Sequence, residues 1–207
     1  MILLKKFTIW QKYLMSSVSL FRLMAAILNH QNDQRLKEIN MSENKEADYT
    51  PSHIANFFLD KAEEENIPIT QMKLQKLVYI GYGWVLAVLN QKLFDEPIEA
   101  WTHGPVIPSL YHEFKHYRAD HISHKSGIFN IETLEYIEPR IPSDESDIMS
   151  VLDKVWFVYK QLSAIALRNK THEPKTPWEC AYNGDGVIND DDIKSHFHRK
   201  IREYLNA

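Results

Sequence analysis

The stretch that decides the fold is residues 70–91, TQMKLQKLVYIGYGWVLAVLNQ. Thr70 is a favourable N-cap, and the residues after it repeat with helical spacing. One face of this helix carries Leu74, Leu77, Val78, Tyr82, Val85 and Leu89, and the opposite face carries Tyr79, Ile80, Trp84 and Ala87. A helix that is apolar all round is buried, so the stretch predicts a central buried helix. Gly81 and Gly83 each cost about 1 kcal/mol inside a helix, which indicates a neighbour packed closely against the backbone.

The flanking sequence predicts further helices and a small β element. Thr50 and Pro51 begin a helix that ends near Asn66, because Pro68 disfavours helical conformation in the residue before it. Residues 93–101 predict a turn and a short strand, and IPSLYHEFKHYR predicts a helix with Pro108 in its first turn. Residues 119–142 are polar, with short extended pieces expected at 128–131 and 134–137.

The C-terminal part predicts three more helices. Ser143 is the expected cap of a helix whose apolar face is Ile148, Leu152, Val155, Val158, Tyr159 and Leu162. Thr176 and Pro177 predict the start of the short helix PWECAY. The last helix carries Ile193, Phe197, Ile201 and Leu205. The expected fold is therefore mainly α (α+β): a compact helical domain with a central buried helix and a small β element.

Composition restricts the possible function classes. The chain has 207 residues and a formal charge of −4, which argues against nucleic-acid binding driven by the net charge of the whole chain. The basic cluster Arg199, Lys200 and Arg202 is the only candidate DNA contact, and such clusters are usually solvated helix faces. Cys180 is the single cysteine, so no internal disulfide can form and a reducing cytoplasm is expected.

Residues 1–40 differ from the rest of the chain. They are apolar with a few basic residues, lack a small-residue cleavage site, and are too short and too interrupted for a membrane span. Met41 opens a second, typical-looking start. We therefore interpret residues 1–40 as an N-terminal extension, poorly ordered or read through from a misplaced start, and residues 41–207 as the domain.

Residues 181–192 resemble a calcium-binding loop. Counting from Ala181 places Asn183, Asp185, Gly186, Asn189 and Asp192 at positions that such loops use. The first position, however, has no carboxylate. A tight glycine turn before a helix that begins with acidic residues is therefore the favoured interpretation.

The sequence HEFKH, from His112 through Glu113 to His116, matches the HExxH pattern of zinc hydrolases. His121 or His124 would have to supply a third ligand, although neither lies at a familiar spacing. A metal-dependent hydrolase thus remains the alternative function.

Within the segment PIEAWTHGPV, residues 97–106, the turn THGP contains one glycine and one proline, and Pro108 follows shortly after it. Prolines lack backbone donors, which disfavours an anion-binding turn. A rigid strand–turn–helix corner is expected, with Gly104 permitting the turn. Trp101 is expected to face the core, because large aromatic side chains in regular elements are usually buried.

Residues 73–114 resemble the Panacea domain, the SocA-like antitoxin family, and the resemblance extends over about residues 50–205. The residues that carry it are Leu74, Gln75, Lys76, Leu77, Gly83, Trp84, Leu93, Phe94, Glu99, Ala100, Trp101, Gly104, Pro105, Val106 and Tyr111, followed by Pro177, Trp178, Ile193, Lys194 and Phe197.

The resemblance implies an antitoxin rather than an enzyme, with no cofactor, metal or catalytic residue. Its partner would be a protein toxin encoded nearby, blocked directly or delivered to a ClpXP-type protease. The resemblance does not imply a membrane or nucleic-acid partner. It places the motif residues in the core or at the toxin interface. A DNA-binding autoregulator remains a third hypothesis.

Overall fold

The computed structural model describes residues 47–184 and 186–205. The expectations for residues 1–40, for Asp185 and for the side chain of Leu205 lie outside the described residues. The chain divides into two units, Glu46–His196 and a second formed by Met1–Lys45 with Phe197–Ala207. The second unit is described only over Phe197–Leu205, and the account below concerns the first.

The described residues form seven α-helices and five short strands, which confirms the mainly α fold with a small β element. The helices are α1 Pro51–Glu64, α2 Gln71–Leu89, α3 Pro108–Phe114, α4 Ser146–Tyr159, α5 Ala164–Thr171, α6 Pro177–Tyr182 and α7 Asp190–Leu205. The strands are β1 Ile98–Trp101, β2 Gly104–Val106, β3 Ile128–Asn130, β4 Glu135–Ile137 and β5 Val187–Ile188. None of the described helices is long and apolar enough to cross a membrane.

Helix α2 is the central element, as its sequence predicts. Every residue from Lys73 to Leu89 is buried, and the helix packs against α1, α3, α4 and α5. The Thr70 hydroxyl accepts a hydrogen bond from the Lys73 amide, which confirms the predicted cap. A Cβ atom on Gly81 would lie 2.8 Å from Leu152 Cδ2 and 3.3 Å from the Phe58 ring. Gly81 thus allows α4 and α1 to approach the helix backbone.

Three strands form an antiparallel sheet in the order β2–β1–β5. Strands β1 and β2 are joined by a tight turn in which Trp101 pairs with Gly104. Strand β5 comes from the far end of the chain and pairs Ile188 with Ile98. Strands β3 and β4 form a separate two-stranded hairpin.

The start of α4 corrects one prediction. The helix begins at Ser146 rather than directly after Ser143, because residues 142–146 form tight turns: the Glu145 amide donates to Pro142 O and the Ser146 amide to Asp144 O. Helix α4 ends at Tyr159, so Leu162 lies beyond it. Its buried face is formed by Ile148, Val151, Leu152, Val155 and Trp156, whereas Val158 and Tyr159 are half-buried.

Candidate functional site

Gln75 on α2 fixes the chain just after β2. Its side chain is 2% exposed and makes two hydrogen bonds to one residue. Gln75 Nε2 donates to the Ile107 carbonyl at 3.1 Å, and Gln75 Oε1 accepts from the Ile107 amide at 2.9 Å. The amide side chain therefore satisfies both backbone groups of Ile107, which is itself fully buried.

Lys76, the next residue on α2, bonds to β2 itself. We call β1, β2 and the turn between them the β1–β2 corner. Its side chain is 1% exposed, and Nζ donates to the Pro105 carbonyl at 2.7 Å. Burial, with a smaller contribution from the Arg168 charge, lowers the pKa of Lys76 to about 7. The Nε atom of Arg168 is buried and has no hydrogen-bond partner in the described part of the chain. Two basic groups thus lie near each other beneath β2.

Gly104 occupies the narrowest point of the corner. Its φ of +101° is a conformation that L side chains rarely adopt. A Cβ atom there would lie 2.8 Å from Thr171 Oγ1 and 2.9 Å from Lys76 Cε and Nζ. Glycine is therefore required both by the backbone and by the contact with α2 and α5.

Trp101 and Tyr111 are half-buried beside a groove of about 520 Å³. Their ring centroids lie 4.8 Å apart in an edge-to-face arrangement, and Trp101 Nε1 donates to Glu99 Oε2 at 2.6 Å. Lys76 and Val106 also line this groove. Trp101, which was expected to face the core, is half-buried at the end of β1 and lines this groove.

Trp178 ties α6 to the end of β1. Its Nε1 donates to the Trp101 carbonyl at 2.8 Å, and its ring lies 3.7 Å from the ring of His172. Pro177 is buried in the first turn of α6, and the Thr176 hydroxyl caps that helix. Of the other motif positions, Trp84, Pro105 and Val106 are buried and Glu99 is half-buried. The contacts described above bring together, around β1 and β2, the motif residues Gln75, Lys76, Glu99, Trp101, Gly104, Tyr111 and Trp178.

Comparison with known proteins agrees with this arrangement. The family model described as "Antitoxin SocA-like, Panacea domain" matches residues 74–179, which include the corner and its supports on α2, α5 and α6. The chain belongs to this family. It is similar to "Antitoxin SocA" of Caulobacter vibrioides (strain NA1000 / CB15N), with 32% identity over 134 residues that cover 65% of this chain and 71% of the relative. No solved structure matches the chain.

The HEFKH residues of this Panacea chain are not arranged as on one helix. Helix α3 ends at Phe114, so His112 lies in α3 whereas His116 lies in the 3₁₀ turn Lys115–Tyr117. The His116 ring stacks on His124 at 5.7 Å between centroids. Over residues 47–184 and 186–205, no group of three or more His, Cys, Asp or Glu side chains is placed to hold a metal ion.

Glu113 instead anchors the segment that leads into β3. Its carboxylate accepts hydrogen bonds from Ser126 Oγ at 2.6 Å and from the Gly127 amide at 3.3 Å. The fully buried Asn56 of α1 bonds to the same segment. Sequence reasoning missed this pair, although a lone asparagine among the apolar residues of ANFF is a recognisable sign of a buried polar contact.

We expect Glu113→Ala to lower the free energy of unfolding by about 1–2 kcal/mol, because hydrogen bonds to a charged acceptor are lost. His116→Ala, on an exposed side chain, serves as the control and should cost less than about 0.5 kcal/mol. Urea unfolding followed by circular dichroism measures both. Equal stability of Glu113→Ala and the wild type would contradict the anchoring role.

The segment that resembles a calcium loop contains a glycine turn. Gly186 has a φ of +84°, and the Gly184 and Gly186 amides both donate to the Ala181 carbonyl. The side chain of Asn183 donates to the Glu179 carbonyl, and Asn189 Oδ1 accepts from the Asp191 amide at 2.7 Å at the start of α7. The two asparagines are thus engaged with backbone groups of the chain.

Proposed function

We propose that this Panacea-domain chain is an antitoxin that binds and neutralises a protein toxin encoded by a neighbouring gene. Membership of the SocA-like antitoxin family, over residues 74–179, is the observation that carries the proposal. The geometry of the motif supports a binding role. Gln75, Lys76 and Trp178 all use their side-chain donors on backbone carbonyls of the same chain, at Ile107, Pro105 and Trp101. These groups hold the fold rather than face a reacting molecule.

Two modes of neutralisation are compatible with this role. In the first, the antitoxin covers the toxin and blocks it while the complex persists. In the second, it acts as an adaptor that delivers the toxin to a ClpXP-type protease. Both modes require a protein-binding surface and no chemistry by the antitoxin itself. Both would operate in the cytoplasm, where the exposed thiol of Cys180 stays reduced.

Co-expression with the adjacent gene tests the proposal. We expect the neighbouring protein, induced alone from a tight promoter, to arrest growth. The full 207-residue chain, induced with it, should restore growth. An adjacent gene that is harmless, or toxicity that persists with the chain present, would contradict the antitoxin role.

The same strains distinguish the two modes. Immunoblots of the neighbouring protein in cells with and without the protease measure its amount. A constant amount and a purifiable complex would establish direct blocking. A fall that depends on the protease would establish the adaptor mode.

A further inference from the structure

The β3–β4 hairpin exposes an unusual amount of apolar surface. Its side chains are between 46% and 80% exposed, and they are Ile128, Phe129, Ile131, Leu134, Tyr136 and Ile137. Six large apolar residues within ten positions are far more than scattered surface hydrophobics, and a patch of this kind marks an interaction site. We define these six residues as the hairpin surface.

Both faces of the hairpin contribute to this surface. Phe129 pairs with Tyr136 and Ile128 pairs with Ile137. Since side chains alternate along a strand, these two cross-strand pairs point to opposite faces. The sheet has only two strands, so both outer edges are unpaired within the described chain. A two-stranded hairpin is marginally stable by itself in water, so it gains from a partner that covers it.

The base of the hairpin is held firmly. Asn56 Nδ2 donates to the carbonyl of Ser126, which precedes the hairpin, at 2.8 Å and to the carbonyl of Pro139, which follows it, at 3.0 Å. Arg140 forms an ion pair with Asp60 of α1. Because the base is bonded to α1 while the apolar side chains stay exposed, the hairpin is preorganised, which lowers the entropic cost of binding.

The charge of the hairpin indicates the chemistry of the partner that covers it. Residues 126–139 contain Glu132, Glu135 and Glu138 and no lysine or arginine. Glu138 pairs with Arg140, which leaves the carboxylates of Glu132 and Glu135 as the charges at the tip. These two carboxylates would repel a second copy of the same hairpin and an anionic lipid surface, whereas they complement a basic rim.

We propose that the hairpin surface is where this antitoxin binds its toxin, through a toxin surface that is apolar at the centre and basic at the rim. This inference rests on the proposed function and adds the location and chemistry of the contact. The hairpin inserts Phe129, Ile131 and Tyr136 into the apolar part of the toxin. Glu132 and Glu135 face its basic groups.

A matched pair of double variants of the full chain tests the location. Phe129→Ser with Ile131→Ser removes two hairpin side chains, and Phe157→Ser with Ile165→Ser makes the same changes at exposed positions on α4 and α5. The probe is the purified protein encoded by the adjacent gene, titrated by calorimetry. We expect the hairpin variant to bind at least about thirtyfold more weakly than the wild type, as for loss of interface hot spots, and the control to stay within about twofold.

A charge variant tests the chemistry independently. Glu132→Lys with Glu135→Lys should weaken binding at low salt by about tenfold, because like charges then meet across the interface. Circular dichroism and thermal unfolding of every variant show whether it is folded. Tighter binding by the lysine variant would contradict the proposal that the toxin surface has a basic rim.

The remaining outcomes separate the two proposals. If the wild type binds and rescues growth and the folded hairpin double variant does so equally well, the hairpin inference is overturned while the antitoxin role stands. If the wild type neither binds nor neutralises the neighbouring protein, both are overturned. A hairpin variant that turns a dimer of the chain into a monomer in ultracentrifugation, with toxin binding retained, also overturns the inference.

Discussion

Gly104→Ala should lower the free energy of unfolding by about 3–5 kcal/mol, a large part of the 5–15 kcal/mol that typically separates folded from unfolded states. The backbone at Gly104 has a φ of +101°, and a side chain in such a region costs on the order of 1–3 kcal/mol. The added methyl group must also displace neighbours, and overpacking of this kind costs about 1–3 kcal/mol more.

The neighbours of Gly104 cannot move aside freely. Thr171 Oγ1, 2.8 Å from the position of the new Cβ, donates a hydrogen bond to the Arg168 carbonyl at 2.7 Å. The end of the Lys76 side chain is buried and bonded to the Pro105 carbonyl. A shift of either side chain therefore breaks a buried hydrogen bond, which adds to the cost.

Gly186→Ala provides the matched control. Gly186 also has a positive φ, +84°, but nothing lies within 4 Å of the position of an added Cβ. Its substitution should lower the free energy of unfolding only by the cost of a side chain at positive φ, about 1–2 kcal/mol. Urea unfolding of both variants, followed by circular dichroism, gives the two values. Equal losses would show that close packing at the β1–β2 corner contributes nothing.

The elements that could be predicted from sequence are those whose local signals agree with their tertiary surroundings. Helices α1 and α2 begin at Pro51 and Gln71, directly after Thr50 and Thr70, and α2 is buried on all sides. The apolar pattern of α2 and its glycine at position 81 were sufficient to predict a central helix with close neighbours.

The elements that were missed depend on contacts distant in sequence. Helix α5 has only two buried residues, Leu167 and Thr171, so it lacks the periodic apolar stripe that predicts a helix. Strand β5 has two residues and exists because it pairs with β1, which lies about ninety residues earlier in the chain.

The candidate site shows the same division. The resemblance selected Gln75, Lys76, Gly104 and Trp178, and the structure brings all four to one corner. The resemblance could not reveal that Trp101 lies beside a groove, since the burial of a half-exposed strand is decided by which elements cover it. The two strands of the hairpin were predicted as short extended pieces at 128–131 and 134–137, but the exposure of their apolar side chains was not, since it depends on which elements pack against them.

Between about pH 7 and about pH 9, the largest pH effect should come from Lys76. An ammonium group that is 1% exposed, with Arg168 as its main charged neighbour, is costly to keep charged, and its pKa falls from 10.5 to about 7. Three and a half pKa units correspond to roughly 4–5 kcal/mol of unfavourable free energy while the group is protonated in the fold.

The sign of the pH dependence follows from this lowered pKa. Between about pH 7 and pH 10.5 the unfolded chain holds the Lys76 proton more tightly than the folded chain does. The unfolded state therefore binds more protons across this window, and the free energy of unfolding rises with pH. From about pH 7 to about pH 9 the contribution of Lys76 is an increase of about 2 kcal/mol.

Lys76→Met should remove this increase. Methionine keeps a long flexible side chain beneath β2 and has no proton to release. Between about pH 7 and about pH 9, the free energy of unfolding of the variant should therefore rise by about 2 kcal/mol less than that of the wild type. Lys115→Met, on an exposed lysine, is the control and should keep the wild-type dependence. Urea unfolding in matched buffers at about pH 7 and about pH 9 measures all three proteins. Parallel pH profiles for the wild type and Lys76→Met would mean that the buried ammonium carries no such penalty. The Pro105 carbonyl would then offset the loss of solvation in full, and the corner would be held by a charged lysine at every pH in that range.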